Sequence, residues 1–345
     1  MAFITLYSVR IAGIAAGVPR TVVRNDKSTV HSADYDADAF VELTGVRERR
    51  VDDHNCTSDL CVAAAEKLIA DLNWNKSEID GIVFVSQTTD YFLPATACIV
   101  QERLGLSKET YATDIVLGCS GWVYGMSSAA SLIGAKGLKK VLLMAGDAKR
   151  HYPSYDPLFG FAGTVTALEY DETAEPWYFQ CGTDGSGFDA IIIPDGGSRN
   201  QVSESSFTNE EIDGKVYNRL QTRMKGMDVF AFGISTAPKS IKKLAEHFGF
   251  DYQGCDYFIF HQANLKMNAM IEKKLKLDHD KVPYSMPTFG NTSSASIPIT
   301  IVSEFGGKML NGEKFMTCGF GVGLSWGSLA FVAKSLFVSE LVEVE

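Results

Sequence analysis

Ala112-Thr-Asp-Ile-Val-Leu-Gly-Cys-Ser-Gly-Trp-Val-Tyr-Gly125 is the stretch on which the reading of the fold turns. Ile115 to Leu117 is a short apolar run that reads as the end of a buried strand, and Gly118 permits a sharp turn after it. Cys119 then falls where a helix begins. From Ser120 to Ile133 the residues are small or apolar, so that helix is expected to be buried on nearly all sides. A thiol at a helix start faces unpaired N–H groups and the positive end of the helix dipole, and both favour thiolate. An inert buried cysteine has the same local pattern, so other stretches must decide.

Outward from this segment, Gly81 to Ser86 and Lys140 to Ala145 are continuous apolar strands of the kind buried on both faces of a parallel sheet. Residues 4–16 read as a first strand; Arg10 within the run, with no basic segment before it, argues against a signal peptide. Helices are expected over 36–45, over 57–71 behind the cap-like Thr57-Ser58-Asp59, and over about 97–104, with a strand at 164–170. The second half repeats the logic. A helix from Ile234 to Phe248, a strand to Phe260, a helix over 264–277, a small-residue helix over 292–305 and a strand over 314–318 follow in turn. Cys119 aligns with Asn291, and the flanking elements align at a similar offset of about 170–178 positions, which marks an internal duplication. Two similar halves, 1–175 and 176–345, are therefore expected, each a mostly parallel, helix-covered sheet, with the chemistry between them.

Composition narrows the class. The chain has 345 residues, 46% hydrophobic and 21% charged, which describes a soluble globular protein. Its net charge of −10 argues against nucleic acid as a partner. Seven cysteines without close CxxC pairs suit the reduced thiols of a cytoplasm better than disulfides or a metal site. No apolar run approaches the roughly 20 residues of a membrane span.

Three later stretches supply what a thiolate needs. His261 ends a buried strand in Phe258-Ile-Phe-His-Gln-Ala-Asn264, and Asn291 stands at another helix start. Gly319-Phe-Gly-Val-Gly-Leu-Ser-Trp-Gly327 reads as a turn whose N–H groups can point at a carbonyl oxygen. His31, His54, His247 and His279 read as surface groups, and His151 is left open. Alone, His261 reads first as a hydrogen-bonded structural histidine.

Together these stretches resemble the thiolase-like condensing enzymes, specifically β-ketoacyl-acyl-carrier-protein synthase III. The signatures are Gly45-Val-Arg-Glu-Arg-Arg50, Gln87-Thr-Thr-Asp-Tyr-Phe-Leu-Pro94, the Cys119 segment, His261-Gln-Ala-Asn264, Gly290-Asn-Thr-Ser-Ser-Ala-Ser296 and Gly321-Val-Gly-Leu-Ser-Trp-Gly327. They span almost the whole chain in family order. Asn291 separates it from elongating synthases, which place a second histidine there, and from hydroxymethylglutaryl-CoA synthases, which use a glutamate base. Chalcone-type synthases share the Cys-His-Asn set, but in longer chains with different surrounding motifs.

The resemblance implies a thiolase-like fold in α-β-α-β-α layers and a cytoplasmic homodimer needing no cofactor. Cys119 would take the acyl group from acyl-CoA or an acyl carrier protein, with the N–H groups of Cys119 and Val322 as oxyanion hole. His261 and Asn291 would hold the thioester oxygen of malonyl-acyl carrier protein as carbon dioxide leaves. Leu93 would limit the acyl pocket of a second subunit, and Lys266, with the basic helices around Lys239–Lys243 and Lys273–Lys276, would meet the carrier protein. Two features depart from the family. Ala39 and Leu43 stand where it clamps coenzyme A with a tryptophan and an arginine, and an acidic residue is missing from Phe159-Gly-Phe-Ala-Gly-Thr164. The runner-up is therefore acyl transfer to an alcohol or amine; a non-catalytic homologue is a third reading, which leaves the Cys-His-Asn set without a purpose.

Overall fold

The helix after Cys119 lies between two sheets. The structure, a computed structural model, describes residues 2–27, 35–148, 156–212 and 215–345. His31 and His151 lie outside the described residues.

The first sheet runs β15 (Met309–Leu310), β18 (Leu336–Val338), β2 (Val9–Pro19), β8 (Ala162–Tyr170), β7 (Lys140–Asp147), β5 (Gly81–Val85) and β6 (Tyr111–Ile115), with β19 (Val342–Val344) also on β2. The second runs β1 (Ala2–Leu6), β9 (Trp177–Thr183), β17 (Ser325–Val332), β16 (Lys314–Gly321) and β14 (Tyr257–Phe260). The chain ends cross over: β1 joins the second sheet, and β15, β18 and β19 join the first. Three ribbons stand apart, β3 (Val22–Arg24) with β4 (Glu48–Arg50), β10 (Ile191–Ile192) with β13 (Arg223–Met224), and β11 (Glu210–Ile212) with β12 (Lys215–Tyr217).

Side chains alternate across each strand, and this sorts the core into three clusters. Ile82 and Phe84 of β5 face α2 (Thr57–Asp71) and α3 (Thr96–Arg103) on the outer side. Val83 and Val85 face inward, onto α4 (Gly121–Gly134) and α8 (Ser296–Phe305), whose other sides meet Phe179, Ile259 and Phe315 of the second sheet. Phe258 and Phe260 face outward onto α5 (Gly226–Phe248) and α6 (Leu265–Leu275). The order is the α-β-α-β-α stack of the thiolase-like fold. Gly121 and Gly125 let α4 lie close on the first sheet: a Cβ on them would come 2.6 and 2.7 Å from Val85 and Leu143. Two shorter helices, α1 (Ala37–Thr44) and α7 (Met286–Phe289), flank the site. Among the described residues no helix is long and apolar enough to cross a membrane.

Several expectations need correction. The second sheet is mostly antiparallel, with β14–β16 its one parallel pair among the described residues. The physical reason is connection length, since the short turn between β16 and β17 allows only an antiparallel pair. Ile115 to Leu117 does not end a buried strand: β6 is the edge of its sheet, and Val116 is 68% exposed. The expected strand 4–16 is two strands, broken at Ser8 with φ 60°. The supposed turn 319–327 is the end of β16 and the start of β17, joined by Val322, Gly323 and Leu324 alone. Helix α5 begins at Gly226 rather than Ile234 and runs through Pro238. The helix expected over 292–305 opens with a 3₁₀ turn, Ser293–Ala295.

Candidate active site

Cys119 sits in the turn between β6 and α4, nearly buried at 9% exposure. Gly121 N–H closes this turn on Gly118 C=O at 2.6 Å, and Ser120 Oγ meets Ser325 Oγ at 2.7 Å, tying the turn to the start of β17. The end of β16 lies over the thiol. A Cβ on Gly321 would stand 2.8 Å from Cys119 Sγ, so only glycine fits there. The backbone N–H groups of Val322 and of Cys119 itself act on the thiol in the direction that favours its ionised form.

His261 directly follows β14, and its N–H donates to Cys318 C=O at 2.9 Å. Its Nδ1 meets Ser296 Oγ at 2.7 Å, and its ring stands edge-on to Phe320 at 5.6 Å. Asn264, the motif's last residue, accepts from Met267 N–H and caps α6. Gln262 accepts from the N–H groups of Ser285 and Met286, fixing the approach to α7 and so to Asn291. Asn291 is pinned by its own backbone: its N–H donates to Leu158 C=O at 2.9 Å and its C=O accepts from Gly160 N–H at 3.2 Å. Its side-chain oxygen accepts from Ser293 N–H at 2.9 Å. The amide NH₂ is thereby left as the end that can donate to a substrate.

Ser293 joins the three. Its N–H holds Asn291, its hydroxyl oxygen lies 3.3 Å from where a Cβ on Gly118 would stand, beside Cys119, and it acts on the titration of both Cys119 and His261. It takes a left-handed φ of 54° to do so. The sequence reading quoted this serine within a motif without giving it a role. It also missed Asp147, whose one legible signal is a carboxylate ending an apolar strand.

The electrostatics differ from the expectation that a helix start favours thiolate. Burial pushes the Cys119 thiol up to about 11, the charge of Asp147 adds to this, and the three hydrogen bonds pull back only in part. Burial also lowers the His261 imidazole from 6.5 to about 3, so it is neutral across the physiological range. The resting pair is a neutral thiol and a neutral imidazole.

The other expected residues lie apart from this group. Lys266 is exposed on α6 and lines an open cleft of about 380 Å³ with Ala39, Glu42, Leu43 and Leu265. A second cleft beside it, lined by Arg24, Asp26, Asp38, Glu42 and Arg47 among others, is rich in charge of both signs. Leu93 projects from the surface at 87% exposure, next to Phe92 at 80%. Among the described residues no cluster of three or more His, Cys, Asp or Glu side chains is placed to hold a metal ion.

Comparison with known proteins gives a consistent answer. The family described as 3-oxoacyl-[acyl-carrier-protein (ACP)] synthase III C terminal matches residues 245–332, which carry His261 and Asn291. The β-ketoacyl-[acyl-carrier-protein] synthase III of Clostridium acetobutylicum is 32% identical, over 93% of this chain and 98% of its own. That of Streptococcus mutans is 31% identical over the same shares. The crystal structure of a 3-oxoacyl-(acyl-carrier protein) synthase from Burkholderia xenovorans LB400 superposes with a TM-score of 0.90 at 35% identity, covering 99% of both chains. The chain belongs to the β-ketoacyl-acyl-carrier-protein synthase III family of condensing enzymes.

Proposed function

We propose that this enzyme, an acyltransferase of the synthase III type, loads an acyl group onto Cys119 and condenses it with malonyl-acyl carrier protein to give a 3-ketoacyl product. The observation that carries the reading is the meeting of Cys119, His261 and Asn291 at Ser293, beneath the Gly321-Val322 turn.

In the first step the Cys119 sulfur bonds to the acyl carbon and the donor's carbon–sulfur bond breaks. The thiol proton ends on the departing carrier's sulfur. In the second, the bond from the malonyl carbon to its carboxylate breaks, carbon dioxide leaves, and the electron pair becomes an enolate. Asn291 NH₂ and the neutral His261 stabilise the enolate oxygen; a carboxylate at 291 would repel it. The enolate carbon attacks acyl-Cys119, the N–H groups of Cys119 and Val322 hold the oxyanion, and collapse releases the cysteine sulfur to be reprotonated from water. No cofactor is required: coenzyme A and the carrier protein enter as substrates.

Lys266, exposed at the entry cleft, and the basic faces of α5 and α6 suit an acidic carrier protein. The exposed Phe92-Leu93 tip and the open edge of β6 suit a homodimer in which Leu93 closes the neighbour's acyl pocket. A cytoplasmic setting fits the seven free cysteines.

The test is intact-mass analysis after incubation with acyl-CoA and acyl-carrier donors of several chain lengths, with peptide mapping of the adduct and a product assay with malonyl-carrier protein. An adduct on Cys119 and a 3-ketoacyl product are expected, with a changed chain-length profile in Leu93→Ala. An adduct on Cys181 or Cys318 instead, or acyl transfer to an alcohol or amine without use of malonyl-carrier protein, overturns the reading.

A further inference from the structure

Tyr91, Phe92 and Leu93 form an apolar tip at 62%, 80% and 87% exposure, and the loop that carries them is closed just beneath it. Asp90 N–H donates to Thr96 Oγ1 at 3.1 Å, so only residues 91–95 lie beyond this neck. Thr96 is fully buried at the start of α3. Its own N–H and that of Ala97 donate to the carboxylate of Asp114 on β6 at 2.7 and 2.8 Å. The side chain of Asp90 ties the other edge of the neck. Its Oδ2 accepts from Ser58 Oγ, in the first turn of α2, at 2.8 Å. Ser58 in turn accepts from Arg103 Nη1 at 3.0 Å, and Arg103 pairs with Asp59 at 2.8 Å. Below the neck, Thr88 Oγ1 meets Thr57 Oγ1 at 2.7 Å and Gln87 N–H donates to Asp147 at 2.7 Å.

The direction of these bonds is fixed by chemistry. A guanidinium only donates, so the Ser58 hydroxyl, which accepts from it, is left to give its own proton to Asp90. Both contacts involve a charged group and hold the carboxylate in one place. Asp90 thus closes the neck through its backbone and anchors it to α2 and α3 through its side chain. Its Oδ1 is buried with no hydrogen-bond partner among the described residues. A buried unpaired oxygen weakens the fold, so stability alone does not account for an acid here.

We propose that Asp90 is a positioning residue for chain-length selection: it holds the Tyr91–Leu93 tip in the shape in which Leu93 closes the neighbouring subunit's acyl pocket. The inference rests on the reading of Leu93 given above. With three side chains mainly in water, packing does little to fix the tip, and its shape in the free subunit is set at the neck. A loop that is free in solution loses conformational entropy when it docks, whereas one closed at its neck has lost most of it in folding. Without the neck the tip samples positions that leave the end of the pocket open, and longer acyl chains gain on shorter ones.

The experiment compares loading by acetyl and octanoyl thioesters of coenzyme A and of carrier protein, read by intact mass, in the parent protein and in four variants. Losing one hydrogen bond of ordinary strength shifts a local equilibrium about fivefold, so the octanoyl-to-acetyl ratio should rise about fivefold in Asp90→Ala and in Thr96→Val. It should rise further in Leu93→Ala. Asp90→Asn keeps an oxygen for Ser58 and the backbone N–H for Thr96, and should stay close to the parent ratio. A purely structural role for Asp90 would lower both rates by the same factor; an unchanged ratio in Asp90→Ala, with a raised one in Leu93→Ala, overturns the proposal. If Asp90→Ala does not fold, Thr96→Val decides by the same ratio. Hydrogen–deuterium exchange of the peptide spanning 87–96 reads the neck without any acyl donor and should be several-fold faster in Thr96→Val; unchanged exchange also overturns the proposal. If Leu93→Ala leaves the ratio unchanged, the reading of Leu93 falls and the proposal with it, and faster exchange in Thr96→Val then places the fault in the pocket and not in the neck.

Discussion

The floor of the site and its rim on α1 are built by different rules. On the floor, Cys119, His261 and Asn291 are all less than 10% exposed, and each is packed against or bonded to elements far away in sequence. On the rim, Leu43 is 53% exposed and Ala39 and Lys266 stand open beside it. A substitution on the floor leaves buried donors and acceptors unmatched, at a cost of about 1–3 kcal/mol each. A substitution on the rim touches mostly solvent and costs folding little. The departures from the family's coenzyme A clamp, Ala39 and Leu43, fall on the rim. The proposed chemistry thus lies where packing restrains it, and the proposed donor recognition where it is free to change.

Four measurements sharpen or break this contrast. The largest effect is expected for Cys119→Ala, which should reduce acyl loading on the order of a thousandfold or more, because the covalent route is removed. Single-turnover loading checks it, and residual loading within tenfold of the parent protein would move the nucleophile elsewhere. Next, His261→Ala and Asn291→Ala should each lower malonyl decarboxylation on the order of a hundred- to a thousandfold, the effect of one lost oxyanion donor, while loading falls much less. Equal losses in both assays would refute the division of labour.

The third effect is one of stability. His261 is held at about 3 in the folded protein against an ordinary 6.5. The unfolded chain therefore takes up a proton as pH falls through 6.5, and the folded chain does not do so until about 3. Stability is lost over that window, by about 2 kcal/mol between pH 7 and pH 5 from this group alone. Urea unfolding of the parent protein and His261→Gln at both pH values should show that difference in slope; parallel slopes would mean the imidazole is not desolvated. The smallest effect concerns the rim. Restoring an aromatic face and a charge with Ala39→Trp and Leu43→Arg should raise kcat/KM for an acyl-CoA about tenfold, a part of what base stacking and a phosphate contact contribute. The same acyl group on its carrier protein should be little affected. No gain for coenzyme A would mean that other groups, such as Arg47 in the adjoining cleft, already bind the nucleotide.

Much of this molecule was legible in the sequence, and the reason is periodicity. Gly81–Val85 and the Val141–Ala145 run of β7 are apolar without a break because both faces of those strands are covered, and Thr57–Asp71 follows helical spacing, its N-cap being Cys56 rather than the Thr57-Ser58-Asp59 stretch. The glycines around Cys119 were legible as a turn and a buried helix face, but the close approach of Gly321 to the thiol was not, because the two meet only in the fold. The direction of pairing in the second sheet was not legible, because buried apolar strands look alike whether parallel or antiparallel. Nor was the edge position of β6, since apolar residues at an edge read as core.

The sequence by itself determined which side chains are proposed for the chemistry and that they sit near strand ends and helix starts, because those are local properties of spacing and residue type. Only the tertiary structure decided how ready they are. The thiol is driven up and the imidazole down by burial, and the charge of Asp147, 28 residues further along the chain (147 − 119), adds to the first. Desolvation and charge act through space, so their sum at the sulfur exists only once both halves have folded together.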